Sequence, residues 1–179
     1  MRFKKIRGYK KIIDSIELWK EDYLNYDIKN NLLQNNYFYI KAKIHPWNRL
    51  SFNNSEYPVI KGKIKLRILE VLLDVYDNWE KQLKDLNEDF YLKIWIAEPR
   101  FNESQVVCAI RDRIDYYNNI FHKTEKKINI ISGNYGKLKN RIDQFKWESY
   151  FDYDIYENEE TQELNYKKRG ILFIGDKNK

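Results

Sequence analysis

The sequence predicts an α+β fold, a single domain in which a mainly antiparallel sheet carries helices packed on one face. Residues about 37–44 and 90–97 each alternate apolar and polar side chains with a period of two, as half-buried strands do. Between them, residues about 62–86 repeat apolar side chains every three or four positions, which indicates a long amphipathic helix. Strand patterns return after residue 145. We therefore expect one domain over 1–179, with 145–179 forming a β-rich hairpin that either belongs to it or extends it.

Two further helices are predicted near the start of the chain. Residues about 9–24 place four large apolar side chains on one stripe, and 28–33 fit a short second helix. The long helix has the most regular stripe, a pattern more typical of a core face than of a binding groove. Its members are Ile68, Leu72, Tyr76 or Val75, Trp79, Leu83 and Leu86.

The strands are predicted to form at least one antiparallel hairpin. Residues 106–110 are apolar on both faces, as in a central strand. They follow 90–97 after a short link that contains Pro99, so the two segments most simply pair as a hairpin. Shorter elements are predicted beyond: helices at 112–121 and 135–145, strands at 128–131, 146–156, 164–167 and 171–174, and a loop at 158–161.

The composition favours a packed core and leaves few residues for common chemistries. The chain has 15 Tyr, 9 Phe and 5 Trp, but only two His, one Cys and six Gly. No glycine cluster matches a phosphate-binding loop, which makes P-loop and Rossmann nucleotide sites very poor fits. One Cys and two distant His do not make a zinc site, so no cofactor is predicted, although a carboxylate site for Mg²⁺ stays open.

Charge and hydropathy restrict the location more than the function. The net charge of +6 fits an anionic partner, but it also fits a general enrichment in Lys. No apolar run is long enough to cross a membrane, and Asp14 and Glu17 interrupt the first apolar stretch. We expect a cytoplasmic protein. The single cysteine, Cys108, lies in an apolar run and is expected to be a small buried hydrophobe.

No complete catalytic set is visible, so the chain is predicted not to be an enzyme. His122 begins an H-x-T triplet, but His45, its only possible partner, is followed by Pro46-Trp47 and departs from that pattern. A metal-dependent nuclease or phosphoesterase remains a minor alternative, because charged residues stand near predicted strand ends. These are Glu98, Arg100, Asp112 and Asp115.

One candidate surface would bind single-stranded nucleic acid. The polar sides of the two alternating strands combine rings, on which bases can stack, with lysines that can meet phosphates. Ordinary exposed strand faces have a similar composition, because lysine stems cover apolar rings. The candidate residues are Tyr37, Tyr39, Lys41, Lys43, Tyr91, Lys93 and Trp95.

A second candidate surface would bind another protein. Residues 148–163 contain seven acids and no bases, with tyrosines between them, and such a segment can be a solvated hairpin or a docking surface for a basic protein. The candidate residues are Tyr150, Asp152, Asp154, Tyr156 and Glu157. The leading prediction is a non-catalytic protein-binding module, such as an immunity protein or a small inhibitor that neutralises a toxin or effector. Nucleic-acid binding is the alternative.

Overall fold

A computed structural model describes residues 9–41, 62–98, 101–119, 135–157, 160–162 and 164–177. The helices are α1 (Tyr9–Leu24), α2 (Ile28–Asn35), α3 (Gly62–Leu83), α4 (Asp112–Asn119) and α5 (Lys139–Ile142), with short 3₁₀ turns at Phe101–Glu103 and Gly136–Leu138. The strands are β1 (Tyr37–Lys41), β2 (Phe90–Glu98), β3 (Gln105–Ile110), β4 (Lys146–Glu157) and β5 (Leu164–Asp176). The predicted strand at 128–131 lies outside the described residues.

The five strands form one antiparallel sheet in the order β1-β3-β2-β5-β4, which confirms the predicted fold class. The predicted hairpin is confirmed as well, since Phe90 of β2 lies opposite Ile110 of β3. The two strands predicted at 164–167 and 171–174 are one strand, β5. Its register against β4 shifts between Asp152 and Tyr153, where Gly170 and Lys168 are the respective partners.

Helices α1, α2, α3 and α5 pack on one side of the sheet, which we call the first face. The predicted stripe of α3 is confirmed as a core surface, because Ile68, Leu72, Tyr76, Trp79 and Leu83 are fully buried. The stripe of α1 is confirmed for Ile12, Ile16 and Trp19. Removing this apolar area from water is the main force that holds the helices on the sheet.

The turn between α2 and β1 fixes the start of the first strand. Asp27 caps α2 by accepting a hydrogen bond from the Asn30 amide at 3.0 Å. Asn36 ends the helix in the left-handed conformation, with φ of 63°, which asparagine tolerates better than most residues. Its carbonyl then accepts a hydrogen bond from the Ile110 amide at 2.8 Å, which sets the register of β1 against β3.

Helix α4 packs on the opposite side of the sheet, the second face, so the expectation that the helices share one face is wrong for this helix. Arg111 joins β3 to α4 with φ of 57°, and its guanidinium bonds to the Glu88 carboxylate at 2.9 Å and to Asn36 Oδ1 at 2.9 Å. These bonds hold the chain reversal that carries α4 over the second face. Ile114 and Tyr117 of α4 then pack on a smaller apolar cluster of that face.

A chain of ion pairs links α1, α5 and the end of β5 to α3. The Arg141 guanidinium contacts Asp74 Oδ1 at 2.8 Å and Asp77 Oδ2 at 2.7 Å, while Lys20 and Lys177 occupy the other oxygens of the same carboxylates. Burial alone would raise the pKa of Asp77, but the bonds from Lys177 and Arg141 outweigh it and hold that pKa below its usual value.

Replacing Arg141 by methionine is expected to destabilise the fold in a pH-dependent way. A carboxylate with a lowered pKa contributes stability above its unfolded pKa of about 4, and this is lost as the pH falls through the folded value. We expect Arg141→Met to lower the free energy of unfolding by about 1 kcal/mol at about pH 7 and by much less at about pH 2. Urea unfolding at both pH values measures this. Lys139→Met is the control, because its pair with Asp143 is exposed. An equal loss at both pH values would contradict the expectation.

Candidate binding surface on the second face

The second face brings together residues from both predicted binding surfaces. Strand alternation places Tyr37, Tyr39, Tyr91, Lys93 and Trp95 there. The register of β5 between β2 and β4 adds Glu148 and Tyr150 to the same side, with Glu148 in one row with Ile174 and Trp95. Tyr150 of the predicted protein-binding surface therefore lies on the same side of the sheet as the described residues of the predicted nucleic-acid surface.

The centre of this face is a second small core, and two of the predicted base-stacking rings lie within it. Tyr91 and Trp95 are each only 4% exposed. The Tyr117 ring of α4 covers both, with centroids 5.7 Å from each of the two rings. The Trp95 indole donates a hydrogen bond to the Tyr91 hydroxyl at 3.0 Å, and burial raises the pKa of Tyr91. These two rings are therefore out of reach of a base stacking from solvent.

Lys93 is held at the floor of a groove beside this core. Its ammonium lies 3.6 Å from Asp176 Oδ2 and 4.6 Å from the centre of the Tyr91 ring. The groove has a volume of about 240 Å³ and runs between β2 and α4, with Ile114 and Asn118 on its helical wall. Because a cation and a carboxylate share its floor, the groove has no strong preference for one sign of charge.

The predicted protein-binding residues are only partly described. The Tyr150 hydroxyl donates a hydrogen bond to Glu148 Oε2 at 2.6 Å, and burial raises the pKa of Tyr150. Asp152 is buried, with 8% of its surface exposed. For Asp154, Tyr156 and Glu157 the strand backbone is described but the side chains are not. Their partners on β5 are, in that order, Lys167, Asn165 and Leu164.

The remaining predicted residues of the nucleic-acid surface stand at the edge of the sheet. Tyr37 and Tyr39 of β1 are 38% and 46% exposed, as a contact surface requires. Lys41 ends β1, and its side chain is not among those described. Lys43 lies outside the described residues, as do His45 and His122.

Sequence reasoning missed the part of α4 that completes this edge. The Arg113 guanidinium lies 5.1 Å from the centre of the Tyr37 ring and 5.5 Å from that of Tyr116, which is 53% exposed. We call Tyr37, Tyr39, Arg113 and Tyr116 the tyrosine–arginine cluster. Arg113 and Tyr116 are three positions apart and share a helix face. That spacing was visible in the sequence, but their approach to β1 depends on the reversal at Arg111.

The Tyr117 ring joins the cluster to the second core. Its centroid lies 6.4 Å from that of Tyr37 and 5.3 Å from that of Tyr116. Burial, with a smaller effect of the neighbouring hydroxyls of Tyr37 and Tyr116, raises the pKa of Tyr117 to about 12. Tyr117 is therefore a neutral group at neutral pH, and its packed ring connects the cluster to the second core.

Other chemistries find little support in the described part of the chain. Cys108 is fully buried, and burial raises the pKa of its thiol, so it does not form a reactive thiolate. Among the described residues, no three His, Cys, Asp or Glu side chains are grouped closely enough to hold a metal ion. No helix in the described ranges is both long and apolar enough to cross a membrane.

No protein-family model matches the chain, and neither the curated proteins nor the solved structures include one that matches it. The functional argument therefore rests on the geometry of the second face.

Proposed function

We propose that this protein is a non-catalytic binding module whose partner is another protein, and that it binds through the tyrosine–arginine cluster. The supporting observation is that the Arg113 guanidinium lies over the exposed rings of Tyr37 and Tyr116, with the exposed Tyr39 two residues along β1 on the same side. Tyrosine and arginine are enriched among the residues that dominate protein interfaces. A tyrosine also offers a large contact area while losing little side-chain freedom.

A protein partner fits this edge better than a nucleic acid does. Binding along a phosphate backbone requires several cations that are not already neutralised. Near the cluster, Arg111 is paired with Glu88, and Asp112 and Asp115 are exposed in the first turn of α4. The surroundings of the cluster therefore carry both signs of charge, which suits a protein surface.

The acidic segment is a weaker candidate for the contact than its composition indicated. Its strand is paired with a basic stretch of β5, since Tyr153 lies opposite Lys168 and Asp154 opposite Lys167. Acidic and basic residues therefore occupy paired register positions of the hairpin, and opposite charges this close in the fold reduce the long-range field that would attract a basic partner. Immunity proteins and small inhibitors of toxins or effectors remain the concrete class that we propose, with the cluster as the contact.

Affinity capture from a host lysate tests this function. Tagged wild-type protein should retain one stoichiometric protein partner after nuclease treatment, identified by mass spectrometry. The double variant Tyr39→Ser, Tyr116→Ser should retain at least about tenfold less, because tenfold corresponds to about 1.4 kcal/mol and truncating a single hot-spot tyrosine costs about 2 kcal/mol or more. Leu18→Ser is the matched control, since Leu18 is 64% exposed on α1, far from the cluster in the fold.

Three outcomes would count against the proposal. The double variant and Leu18→Ser could lose the partner equally, which would remove the cluster from the contact. The captured material could consist of nucleic acid, or of proteins that disappear with nuclease, which would favour the nucleic-acid alternative. Finally, no stoichiometric partner at all would contradict a binding module.

A further inference from the structure

Strand β1 presents outward backbone hydrogen-bonding groups at one edge of the sheet that the described strands form. The Ile110 amide bonds to the Asn36 carbonyl, so Asn36 and Ile110 form a hydrogen-bonded pair of the antiparallel ladder. Such pairs alternate with pairs whose N–H and C=O groups point away from the partner strand. With the observed register, Tyr37, Tyr39 and Lys41 are the residues whose amides and carbonyls point outward, while Phe38 and Ile40 bond to β3.

This edge differs from the opposite one in how it is protected. Within the described ranges, no strand pairs with the outer side of β1 or with the outer side of β4. Strand β4 contains four acids, Glu148, Asp152, Asp154 and Glu157, and charges on an edge strand are a usual means of preventing edge-to-edge pairing. In contrast, β1 reads Tyr-Phe-Tyr-Ile-Lys, with its one charge at the end and no proline. It is the edge that is chemically suited to accept another strand.

The side chains beside β1 define what such a strand should contain. Arg113 lies over the Tyr37 and Tyr116 rings, and no carboxylate in the described ranges pairs with it. A guanidinium supported by rings can bond a carboxylate through two parallel hydrogen bonds. The exposed Tyr39 ring, two residues along the same side of β1, offers an apolar contact for the next side chain of the incoming strand.

We propose, on the basis of the proposed function, that β1 binds an extended segment of the partner protein as an added strand of the sheet. That segment carries an acidic residue near Tyr37, where it reaches Arg113, and an apolar residue near Tyr39. Strand addition of this kind obtains affinity from main-chain bonds and specificity from alternate side chains. A second copy of this chain fits less well. Antiparallel pairing of two β1 strands centred on Tyr39 would place Lys41 of one copy opposite Tyr37 of the other, beside the cation of Arg113.

Synthetic peptides provide the probe. The peptide is about eight residues long, the length of a typical strand, and alternates threonine and valine with one central glutamate. Two matched peptides contain glutamine or lysine in place of the glutamate. Binding to the full chain is measured by fluorescence anisotropy, and amide exchange is followed by NMR. The glutamate peptide should slow exchange at Tyr37, Tyr39 and Lys41 and leave Phe38 and Ile40 unchanged, because only the former have outward amides.

Substitutions separate the backbone from the side-chain contribution. Tyr39→Pro removes the ring and the outward N–H, while Tyr39→Thr removes only the ring. An outward edge position tolerates proline without losing a bond to β3. We expect Tyr39→Pro to weaken every peptide about tenfold more than Tyr39→Thr does. Arg113→Gln should weaken the glutamate peptide about tenfold and change the glutamine peptide by less than about twofold.

Several results would overturn strand addition. These are no slowed exchange at saturating peptide, equal losses from Tyr39→Pro and Tyr39→Thr, or the same alternate protection produced by a mixed-sequence single-stranded DNA. If a captured partner depends on Tyr39 and Tyr116 but no peptide binds, the protein-binding function stands and strand addition fails. If peptides bind but the lysate yields no partner, β1 can accept an added strand, and it is the proposed protein-binding function that fails.

Discussion

Trp79→Ala should lower the free energy of unfolding by about 3–5 kcal/mol, the usual range for removing a large buried aromatic side chain. Trp79 is fully buried on α3, and its ring centre lies 5.6 Å from that of Phe38 on β1. The side chain thus fills the space where the long helix meets the edge strand. Small domains are stable by only about 5–15 kcal/mol, so this variant should lose a large fraction of the stability of the fold.

A comparison of two variants separates the effect of losing the Trp79 side-chain volume from the effect of losing its indole N–H. Within the described part of the molecule, the Trp79 indole N–H is buried without a hydrogen-bond acceptor. Trp79→Phe removes this unsatisfied donor and keeps a ring, so we expect it to destabilise by less than half as much as Trp79→Ala. Urea unfolding followed by circular dichroism measures both. A loss of less than about 1 kcal/mol for Trp79→Ala would contradict the core position of this side chain.

Gly175→Ala is expected to destabilise the fold by about 1–3 kcal/mol, although alanine usually suits a strand at least as well as glycine does. Gly175 lies in β5 between Ile94 of β2 and Trp147 of β4. A Cβ atom added there would stand 2.7 Å from Trp147 Cζ3 and 3.0 Å from Ile94 Cγ2. Ile94 is fully buried and the Trp147 ring packs on the Phe145 ring at 5.6 Å, so neither side chain can give way without disturbing its own contacts.

A double-mutant cycle tests this steric explanation. Trp147→Leu shortens the side chain that the new methyl group would meet, although it also removes the indole bond to the Ile142 carbonyl at 3.1 Å. If crowding is the cause, Gly175→Ala should be tolerated better in the Trp147→Leu background, with a coupling of about 0.5–3 kcal/mol. Strictly additive losses would show that the effect of Gly175→Ala has another origin.

The secondary structure of this chain was largely readable from its residues, because the patterns are local. The alternation in 37–44 and 90–97 and the stripe of α3 depend only on the spacing of apolar side chains. The second strand and the stripe are confirmed, and the first strand is confirmed over 37–41, since 42–44 lie outside the described residues. Alternation also identified which strand residues share a face. It could not identify the faces that helices cover, because that depends on contacts distant in sequence.

Trp95 illustrates what the sequence could not provide. The sequence predicted that Trp95 points to the other face of β2 from Ile94 and Ile96. Its burial, however, depends on the Tyr117 ring, which reaches Trp95 only because the chain reverses at Arg111. A residue such as arginine seldom adopts positive φ, so no local pattern indicated this reversal. The same reversal places Arg113 and Tyr116 beside β1. The candidate surface therefore depends on tertiary contacts. The sequence alone could predict Tyr37 and Tyr39 as members of this surface, but not Arg113 and Tyr116.

The strand order also determines when the sheet can be completed during synthesis. Strand β5 lies between β2 and β4, yet it leaves the ribosome after both of them. Until it emerges, the nascent chain has β2 with an unfilled edge and β4 without its only described neighbour. Such edges pair readily with other chains, so this interval is the period of greatest aggregation risk. The protein becomes a continuous sheet only when its last described strand is inserted into the gap.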